Sequence, residues 1–235
     1  PAPWINVIAN PSFGFQVSAE GSGHVWSENS RENQITPWSN DPVTDPSGEA
    51  IYLHDLATDE LWTPTALPIR GKGVYVARHG FGYSTFQHST PGIAAEMVQF
   101  VPLDAPVKVM RLRLRNTGTT VRQLSVTAYA EWGPGASRVA SALYVQTRID
   151  ETGAILAQNP FAMAFPGRVA FADLGPDVSS RTADRAEFIG IDLRSCKADR
   201  RQGGQCRLQQ FRRRLRIVQF RRVAPCVAVH YGVSF

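Results

Sequence analysis

Apolar and polar positions alternate with a period of two along much of this chain, most regularly over residues 121–132. Leu124, Val126, Ala128, Ala130 and Trp132 fall in one phase, and Gln123, Ser125, Thr127, Tyr129 and Glu131 in the other. Such a period marks a strand with one buried face. Leu112 and Leu114 alternate in the same way with Arg111, Arg113 and Arg115. Asn116, Thr117 and Gly118 supply turn formers between the two runs, which predicts an antiparallel hairpin. A second hairpin is predicted from residues 143–149 and 154–157, turning at Glu151, Thr152 and Gly153. Shorter strand-like runs fall at residues 13–18, 73–78, 83–87, 96–101 and 169–172. No stretch of residues 1–190 carries the i, i+3, i+4, i+7 apolar stripe of a helix. Many short strands with Gly- and Pro-rich connections predict an all-β fold, a large sandwich of antiparallel sheets.

Residues 26–63 break the alternation. Aromatic and polar side chains are mixed there, and Pro37, Pro42, Pro46 and Gly48 suit a loop better than a ladder. A connection this long is often functional in a compact domain. Trp26, Trp38, Tyr52 and Trp62 offer flat apolar faces, while Asn29, Arg31, Glu32, Asn33, Asn40 and Asp41 offer directional hydrogen bonds. A sugar presents two matching surfaces, a C–H face that stacks on rings and a rim of hydroxyls needing donors and acceptors. Trp26, Arg31, Asn33, Trp38 and Asp41 are therefore the candidate substrate-binding residues. The plainer reading is that the indoles anchor the loop to the sandwich.

Other chemistry is thinly signalled. Asp41, Asp45, Glu49, Asp55, Asp59 and Glu60 are carboxylates without a distinctive motif, so surface and turn roles are expected of them. His24, His54, His79 and His88 lack the short spacing of metal ligands, and structural roles are expected. No nucleophile-elbow, phosphate-loop or dinucleotide glycine pattern occurs. Neither a catalytic residue nor a metal or cofactor site is therefore assigned.

Composition matches an ordinary globular protein, 43% hydrophobic and 19% charged over 235 residues. The formal charge of +5 is unevenly spread. Residues 1–190 hold 14 basic and 18 acidic side chains, whereas residues 191–235 hold 11 basic and 2 acidic ones. Cys196, Cys206 and Cys226 also fall in that last stretch, at spacings that suit neither a disulfide framework nor zinc. The basic character thus belongs to the tail, and no nucleic-acid partner is expected for the body. Three readings of residues 191–235 stay open: a segment read in a wrong frame or otherwise non-native, a solvated basic tail, and a binding element. The tail is expected to add no strand. Neither a membrane span nor a secretory leader is predicted within a sequence that starts at Pro1, and a reducing, cytoplasmic setting is expected.

Several separate motifs carry a family resemblance, in order along the chain. They are PWINVIANPSFGF, HGFGYSTFQHS, FVPLDAPVKVMRLRLRNTG, LSVTAYAEW and SRVASALYVQTRIDETGAILAQNPF. Over roughly residues 3–190 the sequence resembles the start of the glycoside hydrolase family 94 region of cyclic β-1,2-glucan synthases. That family was formerly grouped as glycosyltransferase family 36 and includes cellobiose and chitobiose phosphorylases. The resemblance implies a galactose mutarotase-like supersandwich that is not itself catalytic. It implies as partners a β-glucan or glucooligosaccharide, a following (α/α)6 barrel that supplies the catalytic acid and the phosphate-binding groups, and a second copy in a homodimer. The parent enzyme is expected at the inner membrane. Two other readings stand beside it: a carbohydrate-binding module acting alone, and a mutarotase-like enzyme using sandwich histidines and carboxylates. A concave sheet face with, for example, His79 or His88 opposite a carboxylate would favour the second of these.

Overall fold

A computed structural model describes residues 4–39, 41, 43–175, 178–189 and 227–234. The chain begins with β1 (Ile5–Ala9), β2 (Phe13–Ser18) and β3 (Gly23–Ser27), followed by β4 (Glu49–Asp55) and β5 (Glu60–Trp62). Then come β6 (Tyr75–Gly80), β7 (Tyr83–Thr90), β8 (Ile93–Phe100), β9 (Val107–Asn116) and β10 (Leu124–Ala130). The short helix α1 (Arg138–Ser141) precedes β11 (Gln146–Ile149), β12 (Ile155–Gln158) and β13 (Val169–Asp173). The helix α2 (Arg185–Ile189) and β14 (Val227–Ser234) complete the order. The expected all-β fold is what forms.

The strands make two three-stranded sheets, β1-β2-β3 and β10-β4-β5, and one eight-stranded sheet ordered β11-β12-β13-β14-β9-β8-β7-β6. Every pairing is antiparallel. One core unites the three sheets. Phe13, Phe15 and Val25 of the first sheet meet Leu53 and Val126 of the second and Met97, Met110 and Leu112 of the third. Removing apolar side chains of this size from water stabilises the fold by about 1.5–3 kcal/mol each.

The predicted first hairpin is corrected. Its two strands exist, but β9 pairs with β8 and β14, while β10 pairs with β4 in the other layer. Both runs bury an apolar face, and two such faces bury one another best from opposite layers. The connection is an arch between sheets rather than a turn within one. Asn116 Oδ1 accepts from the Gly118 amide at 2.9 Å, and Asn116 Nδ2 donates to the Thr120 carbonyl at 2.8 Å. Arg122 Nε then donates to Asp55 Oδ2 at 2.7 Å, pinning the arch to the end of β4. The second predicted hairpin forms as β11 and β12, with Asp150 accepting from the amides of Thr152 and Ala154.

The expectation of one long loop over residues 26–63 also needs correction. It contains β4 and β5, whose Leu53 and Trp62 are in the core. On the other face, Ala50, Tyr52 and Leu61 form a second cluster with Ile69 and Tyr129. A strand covered on both faces shows no alternation, so its period is invisible in the sequence. β10 likewise buries Ser125 and Thr127 along with Leu124 and Val126, not one face only.

In phase with Met110, Leu112 and Leu114 on β9 lies Lys108, fully buried. Its ammonium is paired with Glu49 at the start of β4 and sits 4.2 Å from the centre of the Phe15 ring on β2. Burial pushes Lys108 below the usual lysine range, and the Glu49 carboxylate opposes that shift.

The last stretch departs from expectation at one point. β14 enters the large sheet between β13 and β9, so residues 227–234 do add a strand. Residues 190–226 and 235, with the three cysteines, lie outside the described residues.

Removing one member of the buried ion pair strands the other charge. Lys108→Ala should therefore destabilise the fold by about 3–5 kcal/mol, whereas Glu49→Leu with Lys108→Met should recover most of that loss. Urea unfolding midpoints of the three proteins check this.

Candidate functional site

Strand pairing places the candidate aromatic residues on the outer face of the β1-β2-β3 sheet. Ala9, Gly14 and Trp26 form one cross-strand row, and Val7, Gln16 and His24 the next. Val25, between His24 and Trp26, points the other way into the core. The indole of Trp26 lies across Gly14. A Cβ on that glycine would stand 2.7 Å from Ala9 Cβ and 2.7 Å from Trp26 Cζ2, so only glycine leaves room for the ring.

The described residues of 28–46 fold back over this face rather than hanging free. Gln34 bridges Trp26 on one side and Gly135, beyond the end of β10, on the other. Ile35 N donates to Val25 O at 2.8 Å, and Thr36 Oγ1 accepts from Val25 N at 2.9 Å. Further along, Asp45 Oδ2 accepts from Ser18 Oγ at 2.7 Å. Glu28 is joined to Arg168, just before β13, at 2.6 Å.

Held this way, Trp38 stacks on His24 with ring centres 5.3 Å apart and planes 17° apart, while Trp26 is tilted against His24 at 5.1 Å. Trp38 is 47% exposed and His24 only 3%. Burial pushes the His24 imidazolium down to about 4, and the nearby Ser30 backbone opposes the shift without reaching hydrogen-bond geometry. The result is a neutral imidazole in contact with two indoles, one of them half open to solvent.

The five sequence candidates divide by what their polar atoms already do. Trp26 and Trp38 come together through His24. Arg31 is exposed, its Nε 3.3 Å from Glu32 Oε1. Asn33 is buried and donates to the Ser27 carbonyl at 3.0 Å. Asp41 accepts from Val43 N, Thr44 N and Thr44 Oγ1, contacts that hold its carboxyl below the usual range. His24 was expected to be structural, yet it is the piece that joins the two indoles. Its i, i+2 spacing from Trp26 on a strand was the available signal.

Several of the remaining carboxylates and histidines are tied into the fold. Glu49 and Asp55 are buried in ion pairs with Lys108 and Arg122, which corrects their expected surface placement. Burial alone would raise the Asp55 pKa, but Arg122 and the amides of Ala57 and Thr58 bring it below the usual value. His54 meets Asp59 at 2.8 Å. His79 meets Ser84 Oγ at 2.9 Å, and His88 stacks on Tyr75 while its Nδ1 lies 3.1 Å from Val74 O. Neither histidine is hydrogen-bonded to a carboxylate among the described residues. No group of three or more metal-ligating side chains gathers among the described residues. No helix there is long and apolar enough to cross a membrane.

Comparison with known proteins decides the family. Residues 1–207 match the glycosyl hydrolase 94 supersandwich domain. The chain belongs to glycosyl hydrolase family 94. It is 43% identical over 192 residues to the cyclic β-(1,2)-glucan synthase NdvB of Rhizobium meliloti (strain 1021), a match covering 81% of this chain and 7% of that protein. It is 29% identical over 135 residues to the N,N'-diacetylchitobiose phosphorylase of Vibrio furnissii, covering 56% of this chain and 17% of the relative. The solabiose phosphorylase of Paenibacillus borealis is 26% identical over 135 residues, with 56% and 18% covered. The family-94 chain described here is thus the supersandwich domain, spanning a minor part of these relatives' length.

The unfolded family-94 domain takes up a proton on His24 near pH 6.5, the folded one only near pH 4. Stability should therefore be full above pH 6.5 and fall as the pH drops through that window, by roughly 3 kcal/mol at its lower end. Asp41 and Asp55 titrate below 3.8, under that window. Urea midpoints at pH 7.5 and 4.5 should differ less for His24→Phe than for the unsubstituted domain.

Proposed function

We propose that this supersandwich domain contributes a saccharide-docking face to a larger family-94 enzyme and holds no catalytic centre of its own. The half-exposed Trp38, stacked on His24 beside Trp26, carries this reading. A ring already fixed by stacking loses little freedom when a sugar's C–H face lies on it. Arg31, nine-tenths exposed and loosely paired, supplies donors at the rim. Asn33 and Asp41 act one step back, holding the loop that carries Trp38. Because a relative is named a cyclic β-(1,2)-glucan synthase, β-1,2-linked glucose chains are the ligand of choice to test. The helical barrel of the parent enzyme is the proposed covalent partner, and a second copy of the domain the proposed assembly partner.

Titration of the domain with β-1,2-glucooligosaccharides tests the docking face. Trp38→Ala should weaken binding about tenfold or more, and Arg31→Ala by a smaller factor, with thermal midpoints nearly unchanged. If Trp38→Ala binds normally but melts early, as the truncation of a core anchor would by about 3–5 kcal/mol, the docking role is wrong. The domain alone should also release no sugar 1-phosphate from β-1,2-glucan and phosphate; release above a heat-inactivated control would overturn the non-catalytic reading.

A further inference from the structure

A cleft of about 810 Å³ opens between the two layers at the far end of β10. One wall is β10 and its continuation, with Tyr129, Glu131 and Trp132; the other is β12 and β13, with Ile155, Ala172 and Leu174. The segment leading into α2 forms the rim, where Phe188 stacks on Tyr129 at 5.0 Å. Volumes of this order suit a small-molecule site.

Arg181 is the cation of the lining that no described carboxylate neutralises. Its guanidinium lies over the β11–β12 turn at Gly153, where a Cβ would fall 1.2 Å from Arg181 Nη1. Gly153 has φ +88° and no side chain, and the guanidinium takes the place a side chain there would fill, at the lining of the cleft. Arg181 lines the cleft without an ion pair or hydrogen bond to any described residue. Among the described residues the cation is positioned but unpaired.

The rest of the lining narrows the ligand class. Glu131 is joined to Arg138, and Glu187 accepts from Thr182 Oγ1 at 2.6 Å, so acceptors stand beside the donors of Arg181 and Arg185. Donors and acceptors of balanced charge around apolar walls and an indole favour a neutral polyhydroxyl ligand. An anion would meet Glu131, Asp184 and Glu187, and a lipid tail would leave the charges unsatisfied.

We infer that this cleft is a second saccharide-binding site, taking a short stretch or end of a neutral glucan, with Arg181 donating to hydroxyls and Trp132 facing the sugar ring. The inference shares its ligand class with the proposed docking face but stands on different residues, so either can fail alone. The two sites are also of different shape: an open platform on the outer face and a concave slot between the layers.

The indole N–H resonances of the intact chain separate them, because Trp132 reports on the cleft and Trp26 and Trp38 on the outer face. On addition of β-1,2-glucooligosaccharide, the Trp132 signal should shift. In Arg181→Gln the half-saturation concentration for that shift should rise about tenfold or more, as loss of charge-assisted hydrogen bonds implies. Ala142→Trp, which plugs the mouth from an exposed position, should abolish the shift, while Trp26 and Trp38 respond as before. A Trp132 signal that stays still at saturation of the outer face would overturn the cleft. So would one that shifts equally in both variants, or one that responds to inorganic phosphate and not to sugar. Movement of Trp132 with still Trp26 and Trp38 would uphold the cleft and remove the docking face instead.

Discussion

A single contact touches all three sheets: the Lys108 ammonium on the large sheet, the Glu49 carboxylate on the second and the Phe15 ring on the first. Two opposite charges withdrawn from water tolerate little misplacement, because each is the other's replacement for solvent. Apolar contacts can slide and repack at modest cost. This pair cannot, so it fixes how the layers register. Everything on the outer face of the first sheet inherits that register, since β3 carries Val25 into the core and His24 and Trp26 away from it.

The outer face shows how a long polar segment becomes a defined surface. Its backbone is stitched through Gln34 and Ile35 to two different parts of the fold, and its side chains are tied at Asp45 and Glu28. What remains free is a ring whose underside is filled by an imidazole that burial keeps uncharged. An imidazolium would hold water around the stack. The neutral ring lets Trp38 rest on an apolar support and keep its outer surface for contact.

Alternation made the fold class, β9, β10 and the β11–β12 hairpin legible, and the motifs made the family legible. Pairing was not, because two adjacent amphipathic runs look alike whether they share a sheet or face each other across a core. β4 and β5 were hidden because Tyr52, Leu53 and Trp62 are buried from both sides and so show no period. Glu49 and Lys108 were hidden by the sound rule that charges stay wet, although Lys108 kept phase with Met110 and Leu112 all along. The site was half legible: residue chemistry singled out Trp26 and Trp38, but only the strand geometry brought in His24. The cleft, built from several separated stretches of chain, left no local trace.

The arch from β9 to β10 has a consequence for chain entropy. Pairing β10 with β4 closes a loop of roughly seventy residues, and the cost of closure grows with the logarithm of loop length. The arch instead brings the two layers face to face across a handful of residues, with Leu114 and Leu124 entering one core from either end of it. It is the contact between layers that asks least of the unfolded chain. Stiffening or lengthening that corner would therefore act on the rate at which the sandwich closes more than on the packing of the closed form.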